Sequence, residues 1–271
     1  MNWEVLAHGY RLAEAPTIDH DGSLVFSDVL GGGVYRWRAG DVDVATVVPK
    51  RRGVGGIARH ADGGIVCSGR DVVHVDERGE TRMVLHVDGV AGWNDLCTDE
   101  AGNVYAGALR FAVFDPASEE VAGELWRIAA ADEAAPLFDD VVHANGVACA
   151  PDGGAVYLSD TRRRRVIVFD RVQHTRRDID VSELGHPDGM ALDEHGAIWL
   201  ALVSGGLARL TPEGRVDRRV EAPSSVTTSC CFDGRDFYVT TANHSERPEL
   251  GGCVLRTTVD VAGAPVAAAR V

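Results

Sequence analysis

Short apolar segments alternate with polar turns along the whole chain, and each apolar segment has the length of a strand rather than of a helix. Six of the turns have the same form, in which two residues lead into a glycine. Glycine suits such turns because it adopts positive φ without a steric penalty. An apolar, strand-like segment follows each one, as in SLVFSD and AIWLAL. The turn glycines are Gly22, Gly63, Gly102, Gly153, Gly196 and Gly234.

The spacing of these glycines reveals an internal repeat. They lie 41, 39, 51, 43 and 38 residues apart. A third strand-like segment follows in every unit, for example VYRWRA in the first and CVLRTT in the last. Units of about 40 residues that each hold four short strands are typical of propellers. We therefore predict an all-β protein, a six-bladed β-propeller with four-stranded antiparallel blades, as a single domain over residues 1–271. A β-sandwich with regular turns does not predict this period.

Two details of the ring follow from the same pattern. A propeller removes its exposed sheet edges by closing on itself. We expect Val5 and Leu6 to pair with the terminal strand around Val266, so that one blade contains both chain ends. The third unit is longer than the others, and we expect the excess near residues 115–123, in a surface loop placed to overhang the mouth of the channel.

The charge balance argues against two classes of partner. The 271 residues include 27 basic and 41 acidic side chains, for a formal net charge of −14. Such a surface repels nucleic-acid phosphates and anionic membranes. Residues 1–10 lack an apolar run of signal-peptide length, and no stretch approaches the roughly 18–20 apolar residues of a membrane span. We expect a cytoplasmic protein, a monomer or weak homodimer, that acts on a small molecule and binds neither nucleic acid nor membrane.

The cysteines give no sign of a zinc site. Six are present, with no CxxC pair and no zinc-type spacing. Most lie in apolar strand-like runs, where buried free thiols are expected more often than disulfides.

The repeat also predicts which residues meet at the axis. Equivalent positions of the blades form a ring, and the position eight residues before each turn glycine is an oxygen donor in four of the six units. Two carboxylates and two amides suit a hard divalent cation such as Ca²⁺, Mg²⁺ or Mn²⁺, and with added waters Zn²⁺ or Fe²⁺. The alternative is that Asn and Asp form turns at strand entrances. The six positions are Glu14, Gly55, Asn94, Asn145, Asp188 and Val226.

Several short motifs occur in one order and in blade register. They are Ala13-Glu14-Ala15-Pro16, Ser27-Asp28, Val34-Tyr35-Arg36, Asn94-Asp95, Asn145-Gly146, Pro151-Asp152-Gly153, Ser159-Asp160-Thr161, Pro187-Asp188-Gly189-Met190 and Trp199. Together these motifs resemble the senescence marker protein/gluconolactonase (regucalcin-like) family. The resemblance extends over nearly the whole chain and implies a six-bladed propeller with metal-dependent lactone hydrolysis as the typical activity.

The resemblance also assigns roles to the ring. It implies metal ligands at Glu14, Asn145 and Asp188, with Ca²⁺ as the first candidate. Asn94 matches an asparagine that binds substrate in some members of the family and metal in others. We expect Asp188 to combine ligation with the role of general base, and Glu14 mainly to hold the metal.

This chain departs from the family at three positions, where Ala15 replaces a glycine, Ile18 a common tryptophan and Gly92 an arginine. The loss of the arginine weakens the case for a polyhydroxy sugar lactone. We therefore expect Trp93 to contact a flatter or more apolar substrate, unless it packs between blades.

Two histidines are further candidates at the mouth of the channel. His143 and His186 each precede a ring residue by two positions. They are expected either to contact substrate and relay protons or simply to hydrogen-bond to loops at the rim.

The leading hypothesis is a metal-dependent hydrolase that opens a lactone or a related small ester with metal-activated water. The alternatives are a hydrolase of another electrophile such as an organophosphate, a repurposed biosynthetic enzyme that catalyses cyclisation or dehydration, and a metal-binding propeller without catalysis. Covalent catalysis is not expected, because no Gly-x-Ser-x-Gly motif occurs.

Overall fold

The computed structural model describes residues 1–41, 43–129 and 133–271. Within these ranges, six antiparallel sheets of four strands each are arranged in a ring, which confirms the six-bladed β-propeller. Each sheet has one inner strand, and the inner strands of successive blades face each other around a central channel.

The strands follow the chain from the inside of each blade to the outside. Blade 1 contains β2 (Ala13–Ile18), β3 (Leu24–Asp28), β4 (Val34–Trp37) and β5 (Ala45–Val48). Blade 2 contains β6 (Ile57–Arg59), β7 (Ile65–Cys67), β8 (Val72–Val75) and β9 (Thr81–Leu85). Blade 3 contains β10 (Gly92–Thr98), β11 (Val104–Leu109), β12 (Gly123–Ile128) and β13 (Ala134–Val141).

The second half of the chain repeats this order, except that the last blade also takes up the first strand of the chain. Blade 4 contains β14 (Ala144–Cys149), β15 (Ala155–Asp160), β16 (Arg165–Asp170) and β17 (Thr175–Asp180). Blade 5 contains β18 (Pro187–Leu192), β19 (Ile198–Leu202), β20 (Leu207–Leu210) and β21 (Val216–Val220). Blade 6 contains β22 (Thr227–Asp233), β23 (Asp236–Thr241), β24 (Gly252–Thr258) and β1 (Glu4–Tyr10), with a short 3₁₀ helix (Pro248–Leu250) before β24.

The ring closes within one blade, as expected, but with a different partner for the first strand. Val5 pairs with Leu255 of β24, so the predicted pairing near Val266 was wrong. β24 pairs with β23 on one side and with β1 on the other, whereas the residues beyond it make only isolated bridges, one of them between Asp193 and Gly263. The C-terminal tail instead crosses the turn end of the channel, where the Ala269 N–H donates to the Arg59 carbonyl at 2.8 Å.

The turn glycines define the two ends of the channel. All six have positive φ, between 56° at Gly234 and 91° at Gly63. Their backbone bonds repeat from blade to blade: the Gly22 N–H donates to the Asp19 carbonyl at 3.1 Å, and the Gly196 N–H donates to the Asp193 carbonyl at 2.8 Å. Because each inner strand runs toward such a turn, the ring positions lie at the opposite end, which we call the mouth.

The core lies between the blades rather than at the axis. Among the described residues, a cluster of buried apolar side chains fills the space between each pair of neighbouring blades. One such cluster packs Val166 and Val168 of blade 4 against Ile198 and Leu200 of blade 5. Burial of both faces explains why the inner and middle strands are nearly continuous apolar runs. The channel is thereby left free for polar side chains.

The extra length of the third unit lies between β11 and β12, in residues 110–122, as expected. Glu120 of this loop lies 3.4 Å from Arg162 of the neighbouring blade. A search for membrane-spanning segments within residues 1–41, 43–129 and 133–271 finds no helix that is both long and apolar enough to cross a bilayer.

Candidate active site

A β-bulge shapes the inner strand at each ring residue. In β18, Pro187 pairs with Leu202 and Met190 with Leu200, so that Asp188 and Gly189 together oppose a single residue. The inner strands β10 and β14 carry the same irregularity at Asn94 and at Asn145, and β2 carries it directly after Glu14. A bulge re-aims a side chain that a regular strand would send to one face or the other. The bulges therefore bring the four oxygen-bearing ring side chains to the mouth.

Glycine next to two ring residues allows the inner strands to approach closely. A Cβ atom at Gly146 would lie 2.3 Å from the Asp188 carbonyl oxygen, and one at Gly189 would lie 2.1 Å from the Ser229 hydroxyl. Only glycine fits at such distances. The Asn-Gly and Asp-Gly pairs of the sequence therefore set the width of the channel.

The two ring carboxylates are buried close to each other. Glu14 and Asp188 are each 7% exposed. Burial raises the pKa of Glu14 well above its ordinary value, and the charges of Asp188 and Asp95 raise it further. Burial and then the charge of Asp95 likewise raise the pKa of Asp188, although the Asn145 amide and the Gly189 N–H lower it. Like charges that share one desolvated site are stabilised by a cation between them.

Asp188 also has a buried oxygen that its protein surroundings leave unsatisfied. Within the described part of the chain, no donor hydrogen-bonds to Asp188 Oδ1. A buried carboxylate oxygen without a partner carries a large desolvation penalty. Its neighbour Glu14 accepts the N–H of the next residue, Ala15, at 2.7 Å, and no other donor in the described ranges.

The two ring amides are held so that their oxygens remain available. Asn145 donates from Nδ2 to the Thr161 hydroxyl at 3.2 Å, and that hydroxyl donates to the Pro187 carbonyl at 2.7 Å. The Thr161 hydroxyl donates its one proton to the Pro187 carbonyl, so it can only accept a hydrogen bond from the Asn145 amide. Asn145 Oδ1 therefore remains available as an acceptor. Asn94 donates from Nδ2 to the Ala144 carbonyl at 3.0 Å, which fixes its orientation in the same way.

The ring position of blade 2 is a glycine, Gly55, which has no side chain that could bind a cation. A Cβ atom at Gly55 would lie 2.1 Å from Asn94 Oδ1. The amide oxygen of blade 3 therefore occupies the position that a side chain of blade 2 would take.

These residues fit a hard divalent cation. Within residues 1–41, 43–129 and 133–271, no three His, Cys, Asp or Glu side chains are grouped so that they could hold a metal ion by themselves. The ring instead combines two carboxylates that need a counter-charge with two oriented amide oxygens. This set of donors suits an ion such as Ca²⁺.

The two candidate histidines lie at the rim, in different settings. Burial and then the charge of Arg162 lower the pKa of His143 to about 4, so the imidazole is neutral at neutral pH. His186 is exposed, and its Nδ1 lies 3.0 Å from the Thr161 carbonyl oxygen. A carbonyl only accepts, so Nδ1 carries the proton and Nε2 is left free. His186 thus makes the loop contact that was the alternative to a substrate role.

Trp93 does not lie at the mouth, where we expected it to contact substrate. Its side chain is 1% exposed and packs edge-on against Trp126, with ring centroids 5.8 Å apart. It belongs to the apolar cluster between blades 2 and 3. The side chain of residue 93 points away from the channel because the bulge begins only at Asn94. The packing alternative therefore describes Trp93.

Asp95 lies beside the ring, although our sequence analysis did not count it among the site residues. Its oxygens accept the N–H groups of Leu96 at 2.8 Å and Val147 at 3.1 Å, and burial raises its pKa to about 7. In a regular strand, residues 94 and 95 would face opposite sides. The bulge removes that alternation, so Asp95 also lies beside the ring. Its position next to Asn94 in the Asn94-Asp95 motif was the sequence signal that could have identified it.

Comparison with known proteins identifies close likenesses. Residues 12–243 match the family model described as the SMP-30/Gluconolactonase/LRE-like region. The chain is 30% identical to regucalcin of Sus scrofa, with 96% of this chain and 95% of that protein covered. It is also 30% identical to the 6-deoxy-6-sulfogluconolactonase of Pseudomonas putida, with 89% and 88% covered. The calcium-binding regucalcin of Agrobacterium tumefaciens has the same fold, with a TM-score of 0.85, 20% identity and coverage of 98% and 97%.

Proposed function

The chain belongs to the SMP-30/gluconolactonase/LRE-like family, and we propose that it is a metal-dependent hydrolase that opens a lactone. Glu14, Asn145 and Asp188 would hold the cation, with Asn94 beside it. The relatives support both halves of this proposal: one is named as a sugar-lactone hydrolase and another as a calcium-binding protein.

The observation that carries the proposal is the unpartnered oxygen of Asp188. A buried carboxylate in a purely structural role would have a donor for each oxygen, and Asp188 Oδ1 has none in the described part of the chain. The Asn145 amide and the Gly189 N–H act on the same carboxylate but leave Oδ1 unsatisfied, and the buried carboxylate of Glu14 adds a second negative charge. Such a site calls for a cation, and Ca²⁺ matches the oxygen-only set. Mg²⁺, Mn²⁺, Zn²⁺ and Fe²⁺ are the other ions to test.

The reaction adds water across the ester bond of the lactone. A divalent cation, when bound, withdraws electron density from a carbonyl oxygen and lowers the pKa of water. Asp188 would accept a proton from the attacking water as the general base. The water oxygen bonds to the carbonyl carbon, the ring C–O bond breaks, and the proton passes to the departing oxygen. The product is the hydroxy acid.

Asn94 and Glu14 have supporting roles in this proposal. One N–H of the Asn94 amide is bound to the Ala144 carbonyl, so the second N–H is available to orient a substrate oxygen. Glu14 mainly balances the charge of the cation. His143, neutral and mostly enclosed at the rim, is placed to accept a hydrogen bond from a substrate hydroxyl.

A screen of lactones and esters tests the proposal directly. Aldonolactones, aliphatic lactones and aryl esters would be offered with each divalent ion, and a pH indicator would report acid release. We expect hydrolysis of at least one lactone class that a chelator abolishes and Ca²⁺ restores. Metal binding in calorimetry without hydrolysis of any lactone would contradict the proposal and favour a binding propeller, and turnover of a phosphotriester alone would favour the organophosphate alternative.

A further inference from the structure

Cys97 and Cys149 lie in contact inside the channel, below the ring. Their Sγ atoms are 2.6 Å apart, and the two residues are on the inner strands of blades 3 and 4. Both line a cavity of about 330 Å³ in the turn-end half of the channel. The cavity gives small molecules room to reach the sulfur atoms.

The two strands that carry these thiols belong to different sheets and are joined by side chains. β10 and β14 share no sheet in the described structure. Nearest the mouth, Asn94 Nδ2 donates to the Ala144 carbonyl, and one step below it the Val147 N–H donates to Asp95 Oδ2 at 3.1 Å. The thiol pair comes next along the same two strands. The thiol pair is therefore the third of these contacts between the two strands, counted from the ring residue Asn94.

We propose that Cys97 and Cys149 are a site of oxidative cross-linking, at which hydrogen peroxide converts the thiol pair into a disulfide that joins blade 3 to blade 4. Because the thiols already touch, closing the bond requires only a small approach of the two side chains. Among the described residues, no other two cysteines have their sulfur atoms within hydrogen-bonding distance of each other. Cys230, on the wall of the same cavity, donates to the Trp199 carbonyl instead.

The chemistry balances with one peroxide molecule. The thiolate of one cysteine attacks a peroxide oxygen, which gives a sulfenic acid and releases hydroxide that becomes water. The second thiol then attacks the sulfenic sulfur, forms the S–S bond and releases the second water. Two thiol hydrogens are lost, both sulfurs are oxidised, and the two peroxide oxygens are reduced to water.

The surroundings predict a slow reaction that speeds up with pH. The thiolate is the attacking species, and burial raises the pKa of Cys97 well above its ordinary value. Little thiolate is present at neutral pH, so the rate should rise as the solution becomes alkaline.

The full chain is treated with hydrogen peroxide near pH 8.5, which is about the ordinary pKa of a thiol. The oxidised protein is digested without reductant and mapped by mass spectrometry. We expect a peptide containing Cys97 joined to one containing Cys149, an intact mass lower by two hydrogen atoms, and reversal by dithiothreitol. The cross-link spans 52 positions, so the melting temperature should rise by roughly 5 to 10 °C.

Three variants complete the test. Cys97→Ala and Cys149→Ala should each abolish the mass loss and the thermal shift, while Cys231→Ala, which changes another residue of the cavity wall, should retain both. Unchanged mass in the wild type, sulfonic acid at Cys97 in place of a cross-link, or a mass loss that persists in Cys97→Ala would each overturn the proposal. Because mass and melting temperature are the readouts, the result is independent of lactone hydrolysis.

Discussion

Two buried aspartates mark the two ends of the inner strand of blade 5, and their surroundings are opposite. Asp193, at the turn end, is fully buried and accepts hydrogen bonds from Trp199 Nε1 and Arg209 Nε, both at 2.8 Å. Asp188, at the mouth, is almost as buried, yet its Oδ1 has no donor in the described part of the chain. Burial alone would raise both pKa values. The hydrogen bonds of Asp193 more than offset that effect and lower its pKa, whereas the pKa of Asp188 is raised.

The difference separates structural from functional polar groups. A satisfied buried carboxylate stabilises its blade, because its donors replace the water that it lost. An unsatisfied one destabilises the fold until a ligand arrives. The turn end of the channel is thus built for stability and the mouth for binding, and substitutions at the two ends should affect different measurements.

The largest effect is expected for Asp188→Asn. The amide keeps the shape of the side chain but removes the negative charge and the proton acceptor, so lactone hydrolysis should fall about 1000-fold. Cation binding in calorimetry should be lost as well. The melting temperature in chelator should stay the same or rise, since an unpartnered buried charge has been removed. A variant that keeps both cation affinity and rate would refute the role given to Asp188.

The matched substitution at the other end is Asp193→Asn. It breaks a buried ion pair with Arg209, so the free energy of unfolding should fall by about 3 kcal/mol. Urea titration would measure this loss, and cation affinity of the folded variant should equal that of the wild type. Weaker cation binding in this variant would remove the distinction between the two ends.

The same pair predicts how acid affects stability. Because the pKa of Asp193 is lower in the folded than in the unfolded chain, its contribution is present above the unfolded value of about 3.9 and is lost as the pH falls toward the folded value. The unfolding free energy of Asp193→Asn should therefore depend less on pH in this acidic range than that of the wild type.

Gly55→Ala should have a smaller effect, confined to the mouth. The new methyl group would displace the amide oxygen of Asn94, and we expect about a tenfold loss in kcat/KM, equivalent to about 1.4 kcal/mol. Gly92→Ala is the control on the same strand as Asn94, because its Cβ would meet the Gly69 carbonyl oxygen at an ordinary 3.6 Å. Equal rates in both variants would mean that Asn94 does not position the substrate.

The smallest effect is expected at Ala15, where the backbone at the mouth is strained. Its φ is +53°, a conformation that costs an L-residue about 1 kcal/mol relative to glycine. Ala15→Gly should raise the unfolding free energy by about that amount, whereas Ala15→Ser, which keeps the Cβ atom, should not. Chemical denaturation of the three proteins measures the difference, and a loss of stability in the glycine variant would contradict it.

The sequence predicts the fold well because the turn glycines repeat at nearly constant spacing. The ring register follows from the same count, since a fixed offset from a turn corresponds to a fixed depth in the channel. The sequence does not predict which way individual side chains point, because each bulge shifts the alternation by one residue. That shift explains why Trp93 lies in the core and Asp95 lies beside the ring.

The sequence repeat also does not predict which residues of neighbouring blades come into contact. Cys97 and Cys149 are far apart in the chain and meet only because their strands lie on adjacent blades. Thr161, which follows β15 of blade 4, donates to the Pro187 carbonyl of blade 5 for the same reason. Such pairs depend on the rotation between blades, which no single segment encodes.

The pairing of β1 with β24 has a consequence for how the protein is made in the cell. Synthesis proceeds from the N-terminus, and domains of multidomain chains begin to fold as they emerge from the ribosome. Val5 of β1 and its partner Leu255 are 250 positions apart in the chain. β1 therefore stays unpaired while the residues between them are synthesised. A charged residue on a free strand edge, here Glu4, opposes pairing with another nascent chain during that time.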